Sequence, residues 1–230
     1  YEILAVKTLY TKGIKKRKRR FGMEAKKHSW HGPKQIGMMI YTAILFLIGT
    51  SIIGGNNNTV FPMFSEIRGW DVNVINVVSG LACIAKAIGV LVLARVVRKT
   101  GAKNLTTVTL ILSALLLIVF GTTKSLPLFL IVILIIGFLG GGYEKNGGMT
   151  LTASWWPTKK GIVLGFTTMG IVAMNFLYVP MMPKLLGKLG LGGGMTVIAV
   201  ILIIVAIITA ICVKNNPEEA GEYPDGDPTY

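Results

Sequence analysis

Acidic residues are scarce in this chain of 230 residues: ten Asp and Glu stand against 24 Lys and Arg, and charged residues make up only 15% of the total. A soluble domain ordinarily carries about 25% charged residues, so this composition cannot clothe a normal solvent-facing surface. Histidine and cysteine are rarer still, two of each. His28 and His31 have no cysteine near them, and Cys83 and Cys212 each sit inside an apolar run, so neither a metal site nor a disulfide framework is expected. No phosphate-cradling loop ending in Gly-Lys-Ser or Gly-Lys-Thr occurs, which argues against a primary ATP-driven machine. No cofactor is implied, and no set of residues points to an enzyme.

Apolar residues are abundant instead, at 52% of the chain, and they come in six runs. These extend from Ile36 to Phe61, Val72 to Val97, Leu105 to Thr122, Leu126 to Ala153, Gly161 to Met182 and Gly194 to Val213. Each approximates the ~20 residues that a helix needs to cross the hydrocarbon of a bilayer. The expected class is an all-α polytopic membrane protein with a six-helix transmembrane bundle over 36–213, and the lipid bilayer is its first partner.

Eight of the 24 basic residues lie in the first 22 positions, with Lys15-Lys16-Arg17-Lys18-Arg19-Arg20 at their centre. Alone, that run reads as a nucleic-acid patch. However, Met23 is followed by Glu-Ala-Lys-Lys just ahead of the first span, and Arg19-Arg20-Phe21-Gly22 can be encoded by AGG-AGG-TTT-GGA, a bacterial ribosome-binding sequence. The expectation is that 1–22 is a translated leader, that 23–35 is a cytoplasmic segment, and that nucleic acid is not a partner. Orientation follows from the flanks: Lys26, Lys27, Lys34, Arg95, Arg98, Lys99, Lys103, Lys159, Lys160 and Lys214 lie on one side, against Arg68, Lys124, Lys184 and Lys188 on the other. Both ends are therefore expected in the cytoplasm of a bacterial inner membrane. The acidic, Pro- and Gly-rich stretch 214–230 reads as a disordered cytoplasmic linker that is cut short.

The spans differ in polarity. Spans three and six are almost uniformly aliphatic, whereas span one carries Asn56, Asn57 and Asn58, span two Asn76, Ser79, Cys83 and Lys86 on one helical face, and span five Asn175 and Tyr178. Span four holds Tyr143, Glu144, Lys145 and Asn146 among glycines, and 100° steps place Gly137, Gly140, Gly141, Gly147 and Gly148 on one broad face with Glu144 in its middle and Lys145 at its flank. Polar groups are costly in lipid, so spans one, two, four and five should line a common cavity with three and six outside. Two polar spans followed by an apolar one, twice over, is the pattern that a pair of three-helix inverted repeats leaves. Gly137 with Gly141, and Gly161 with Gly165, have the spacing of close helix packing, and Trp70, Trp155 and Trp156 suit interfacial anchoring.

Trp155-Trp156-Pro157-Thr158-Lys159-Lys160-Gly161 ahead of span five, the basic turn between spans two and three, and Asn216-Pro217-Glu218-Glu219-Ala220-Gly221 after span six together resemble the N-terminal half of a major facilitator superfamily transporter. The resemblance covers about residues 30–230. It implies half of a twelve-helix fold, secondary active transport of a small solute by alternating access, and a missing C-terminal six-helix half, or a second copy of the chain, as partner. The family's turn usually reads Gly-x-x-x-Asp-Arg-x-Gly-Arg-Arg. Here Arg95, Arg98, Lys99, Gly101 and Lys103 form the corresponding cytoplasmic gating turn, with Arg98 where the family has its acid. Glu66, Gly69-Trp70 and the asparagines of span one are similar to the branch that carries oxalate and formate.

Lys86, Glu144 and Lys145 fall about midway along their spans, so they should share one depth. One reading is a central site in which a cation holds an anionic substrate such as a carboxylate, while Glu144 pairs with that cation or carries a coupling proton. Tyr143, Asn146, Asn56, Asn57 and Asn175 would supply hydrogen bonds. The other is a structural Lys86–Glu144 bridge with no ligand, the amides tying helices together. A six-helix subunit that anchors a partner without transport is the alternative function.

Overall fold

The computed structural model describes residues 32–227. The leader expected over 1–22, and the segment 23–35 up to residue 31, lie outside the described residues, as do the side chains of Asn57 and Asn58.

Among the described residues there is no strand. α1 (Pro33–Thr50) starts with proline in its first turn, where the missing N–H has no helical partner to lose. It passes through a π-helical turn, Ser51–Gly55, into α2 (Asn56–Arg68). α2 stops at Gly69, whose φ of 70° lets its N–H reach the Ser65 carbonyl at 2.9 Å. α3 (Val72–Thr122) is capped by Asp71, which accepts from the Asn73 amide at 2.8 Å. α4 (Leu126–Gly140) runs into a second and longer π-helical segment, Gly141–Gly148, and then α5 (Met149–Trp155). α6 (Lys160–Cys212) follows, and short 3-10 turns at Pro217–Ala220 and Pro224–Gly226 close the described chain.

α3 and α6 contain 51 and 53 residues. Straight rods of that size would be about 75 Å long at ~1.5 Å per residue, more than twice the hydrocarbon thickness. Both are broken by glycine instead: Gly101 adopts φ 81°, ψ 157° and Gly190 φ 70°, ψ 174°, a region that only glycine enters freely. Each therefore has two arms, 72–100 and 102–122 in α3, 160–189 and 191–212 in α6. The helices run further than the apolar runs suggest. Residues 98–100 and 184–189, expected in loops, are helical, because a break at one glycine needs no extended connection.

One end of the bundle is held by an aromatic cluster of Phe61, Phe64, Trp70, Phe120 and Phe129, with the Phe120 and Phe129 rings stacked at 4.5 Å. Span four packs on span two through glycine. A Cβ at Gly137 would lie 2.5 Å from the Ala82 carbonyl, one at Gly141 2.6 Å from the Val90 nitrogen, and one at Gly89 2.1 Å from the Phe138 carbonyl. Backbone thus meets backbone along this seam.

Several expectations need correction. The glycines of span four do not share a face, because the wider π-helical turns alter the angular step: Gly142 and Gly147 abut Thr109 and Thr106 of the second arm of α3, and Gly148 abuts Phe46. Nothing lies within 4 Å of a Cβ at Gly161 or Gly165, so that pair packs against nothing here. Trp155 and Trp156 are buried at 2% and 0% exposure instead of anchoring at an interface, and Trp155 donates to the Lys214 carbonyl at 3.2 Å. Residues 214–227 are not a disordered linker. They fold onto the bundle, with Pro217, Asp225 and Gly226 buried.

Candidate functional site

Glu144 is brought inside the bundle by the π-helical segment, which presents it to both α1 and the first arm of α3. Its seat is Gly49, where a Cβ would lie 2.2 Å from Glu144 Oε2 and 2.6 Å from its Cβ, so no side chain at position 49 is compatible with this placement. Glu144 is 1% exposed, and both carboxylate oxygens are occupied. Oε2 pairs with the Lys86 ammonium, and Oε1 lies 2.9 Å from Lys145 Nζ. Lys86 also donates to the Gly49 carbonyl at 3.4 Å. Lys145 Nζ stands 4.8 Å from the centroid of the Phe46 ring, adding a cation–π contact.

The two lysines are not sealed in. Their side chains are 17% and 31% exposed, against 1% for the carboxylate, and they open onto a cleft of about 710 Å³. Thr50, Cys83, Lys86, Val90, Lys145 and Ile171 are among its lining residues, contributed by α1, the first arm of α3, the π-helical segment and the first arm of α6. The second arms of α3 and α6 contribute none of the residues lining it. The cluster therefore holds two cations against one carboxylate, and its excess positive charge faces the cleft. In a low-dielectric bundle such a site favours negative charge over positive.

Lys86, Glu144 and Lys145 are thus assembled as one cluster. Tyr143 is buried beside them: a Cβ at Gly140 would lie 3.7 Å from its hydroxyl and 3.8 Å from Lys86 Cε. The amides behave differently. Asn146 donates to the Val90 and Gly141 carbonyls at 3.0 and 3.1 Å, tying the π-helical segment to α3. Asn56 accepts from the Tyr178 hydroxyl at 2.5 Å and donates to the Ile52 carbonyl at 2.6 Å, which braces α2 against α6 away from the cleft. Asn175 is exposed on α6 and does not line the cleft, and the Asn57 side chain lies outside the described set. On span two, Ser79 is buried but Asn76 and Cys83 are exposed, so that face points partly outward.

At the basic turn, Arg95, Arg98 and Lys99 are exposed, and Arg98 Nε donates to the Ala94 carbonyl at 3.3 Å. Gly101 makes the break, and the Lys103 amide donates to Asn215 Oδ1 at 2.8 Å. Sequence reasoning missed Gly49 and Phe46. A lone glycine or phenylalanine in an apolar span carries no signal of its own, and only the tertiary approach of Glu144 and Lys145 reveals them. It also missed Thr106 and Ser113, buried hydroxyls on span three that have no hydrogen-bond partner among the described residues.

Among the described residues, four helical stretches are long and apolar enough to cross a membrane: Pro33–Gly55, Val72–Thr122, Leu126–Trp155 and Lys160–Cys212. A family model described as Major Facilitator Superfamily matches residues 37–228. A search of curated proteins found no match.

Proposed function

The chain belongs to the Major Facilitator Superfamily and is a membrane transporter, and from that premise we propose that it moves a small organic anion, a carboxylate, by alternating access. In this reading the two arms of α3 and of α6 each count as a crossing. The bundle then has six spans in two three-helix inverted repeats, with both ends in the cytoplasm of a bacterial inner membrane, and forms the N-terminal half of the working unit. A second six-helix unit, the continuation of the polypeptide or another copy of this chain, closes the open side of the cleft.

The observation that carries this reading is the asymmetry of the ion cluster: all three groups border the cleft, but the carboxylate is 1% exposed against 17% and 31% for the two lysine side chains, and the formal charge left over is positive. An entering carboxylate competes with Glu144 for Lys86 and Lys145. Binding therefore rearranges contacts among α1, α3 and the π-helical segment, which couples occupancy to helix position. Charge-assisted hydrogen bonds of this kind are about twice as strong as neutral ones, so the exchange is large enough to shift a conformational equilibrium. Glu144, once released, is available to carry the coupling proton.

The test is uptake of radiolabelled small carboxylates into proteoliposomes holding the complete transporter, wild type against Lys86→Met and Lys145→Met. Each variant should lose at least ten-fold in flux at unchanged protein level in the vesicles. Full flux with impaired assembly would instead favour a six-helix subunit that anchors a partner.

A further inference from the structure

α6 begins at Lys160 without a side-chain cap from its own flank. The amides at such an end have no helical partner and need an acceptor. The two amides just ahead of this end, those of Thr158 and Lys159, find theirs far along the chain. Asp225 Oδ2 accepts from the Thr158 amide at 3.1 Å and from the Thr158 hydroxyl at 2.7 Å, and Oδ1 accepts from the Lys159 amide at 3.3 Å. A carboxylate at this position also meets the positive end of the helix dipole. Asp225 is 4% exposed and has φ 54°, a left-handed conformation that a non-glycine residue keeps only where its surroundings impose it.

The segment around Asp225 is tied down elsewhere as well. Lys34 Nζ donates to the Ala220 carbonyl at 2.6 Å and lies 3.5 Å from Glu222 Oε1, while Gln35 Nε2 donates to Glu222 Oε2 at 3.1 Å. Asn215 Oδ1 accepts the Lys103 amide just past the Gly101 break, and that break is so close that a Cβ at Gly101 would lie 2.8 Å from Asn215 Nδ2. The Lys214 carbonyl accepts from Trp155. One short segment therefore touches the start of α1, the bend of α3, the end of α5 and the start of α6, all at the same end of the bundle.

We propose that residues 214–227 form a clasp in which Asp225 anchors the turn leading into α6, so that its seating fixes the start of α1, the Gly101 bend and the α5–α6 junction together and its release loosens all three together. The clasp holds the basic end of the bundle as one body. Thr158, within the junction, and Asp225 are its latch, and Lys34, Gln35 and Lys103 are its remote ends.

Hydrogen exchange read by mass spectrometry on the full chain in lipid nanodiscs tests this. Wild type is compared with Asp225→Ala, with Asp225→Asn, which tolerates the left-handed backbone but lacks the charge, and with Thr158→Val, which removes one latch bond. Peptides covering 33–40, 100–106 and 156–162 should all exchange faster, roughly ten-fold in Asp225→Ala as for loss of a helix cap, and less in the other two. Exchange within α4 should stay at the wild-type rate. Acceleration confined to 156–162 would reduce Asp225 to a local cap and overturn the clasp. No acceleration in any of the three, or equal acceleration in α4, would overturn it too.

Discussion

Replacing Glu144 by glutamine removes the one carboxylate that two ammonium groups share, and the structure fixes how the cost should divide. Breaking a buried ion pair by removing one partner typically costs about 3–5 kcal/mol, because a charge is left without its counterion. In Glu144→Gln the orphaned groups are Lys86 and Lys145, whose side chains are 17% and 31% exposed and can turn into the cleft. The loss should therefore sit at the low end, about 3 kcal/mol. At roughly 2–4 °C per kcal/mol for a chain of this size, unfolding in detergent should fall by about 6–12 °C. Lys86→Met should cost less, about 1.5–3 kcal/mol as for one hydrogen bond to a charged group, since Lys145 still stands 2.9 Å from the carboxylate. The Lys86→Met, Glu144→Gln double variant removes both members of one pair. It should recover about 1–3 kcal/mol relative to the sum of the single losses, yet flux should stay abolished. Chemical unfolding of the four proteins measures the coupling, and uptake measures the function. Additivity of the two substitutions to within about 0.5 kcal/mol would refute the pairing, and recovery of flux along with stability would refute a role in transport.

Gly49→Ala should act on the same cluster from the other side: a Cβ 2.2 Å from Glu144 Oε2 must expel the carboxylate, at about 1–3 kcal/mol of overpacking, seen as a lower unfolding temperature and lost uptake. Gly161→Ala and Gly165→Ala meet nothing within 4 Å, so in the isolated chain they should be neutral or stabilising by up to about 1 kcal/mol. The same two changes should weaken assembly if a second bundle packs against that face, which co-purification of the two units would read. Tyr178→Phe leaves the buried Asn56 oxygen without its donor and should cost about 1–3 kcal/mol with substrate affinity unchanged, checked by unfolding and by direct binding.

Much of the fold is legible because hydrocarbon is a simple solvent: any run of apolar residues long enough to span it must become helix, whatever its neighbours. The glycines at 101 and 190 stand between such runs, and their positive φ values supply the breaks. The π-helical segments are another matter. Whether Gly141–Gly148 coils more widely depends on how closely Gly141 must approach the backbone at Lys86, Gly89 and Val90, a tertiary demand that no local pattern records. Trp156 shows the same limit. Tryptophan beside a lysine pair suits a membrane interface, but at 0% exposure it is core. Asp225 is harder still, since its partners lie 66 and 67 positions away and its own stretch is as polar as any linker.

The ion cluster and the amide contacts differ in legibility for a physical reason. Within the six apolar runs there is one acid, Glu144, and, apart from the exposed Arg95 near the end of the second run, two cations, Lys86 and Lys145. An ionisable group in lipid costs about 2.5–3.5 kcal/mol on insertion scales and must find opposite charge or water. With a single carboxylate available, both lysines had to converge on it or on an open cleft, and they do both. An asparagine faces no such scarcity, because a helical bundle offers it a carbonyl on every turn. Asn56 settled on Ile52 and Tyr178, and Asn146 on Val90 and Gly141, and equally good partners elsewhere would have met the same need. Charge balance in a low-dielectric medium therefore points to a site from composition alone, whereas amide hydrogen bonding is degenerate until the backbone is known. The excess lysine then becomes the informative residue: it is one cation more than the cluster's single carboxylate balances, and the proposal of an anionic substrate rests on it.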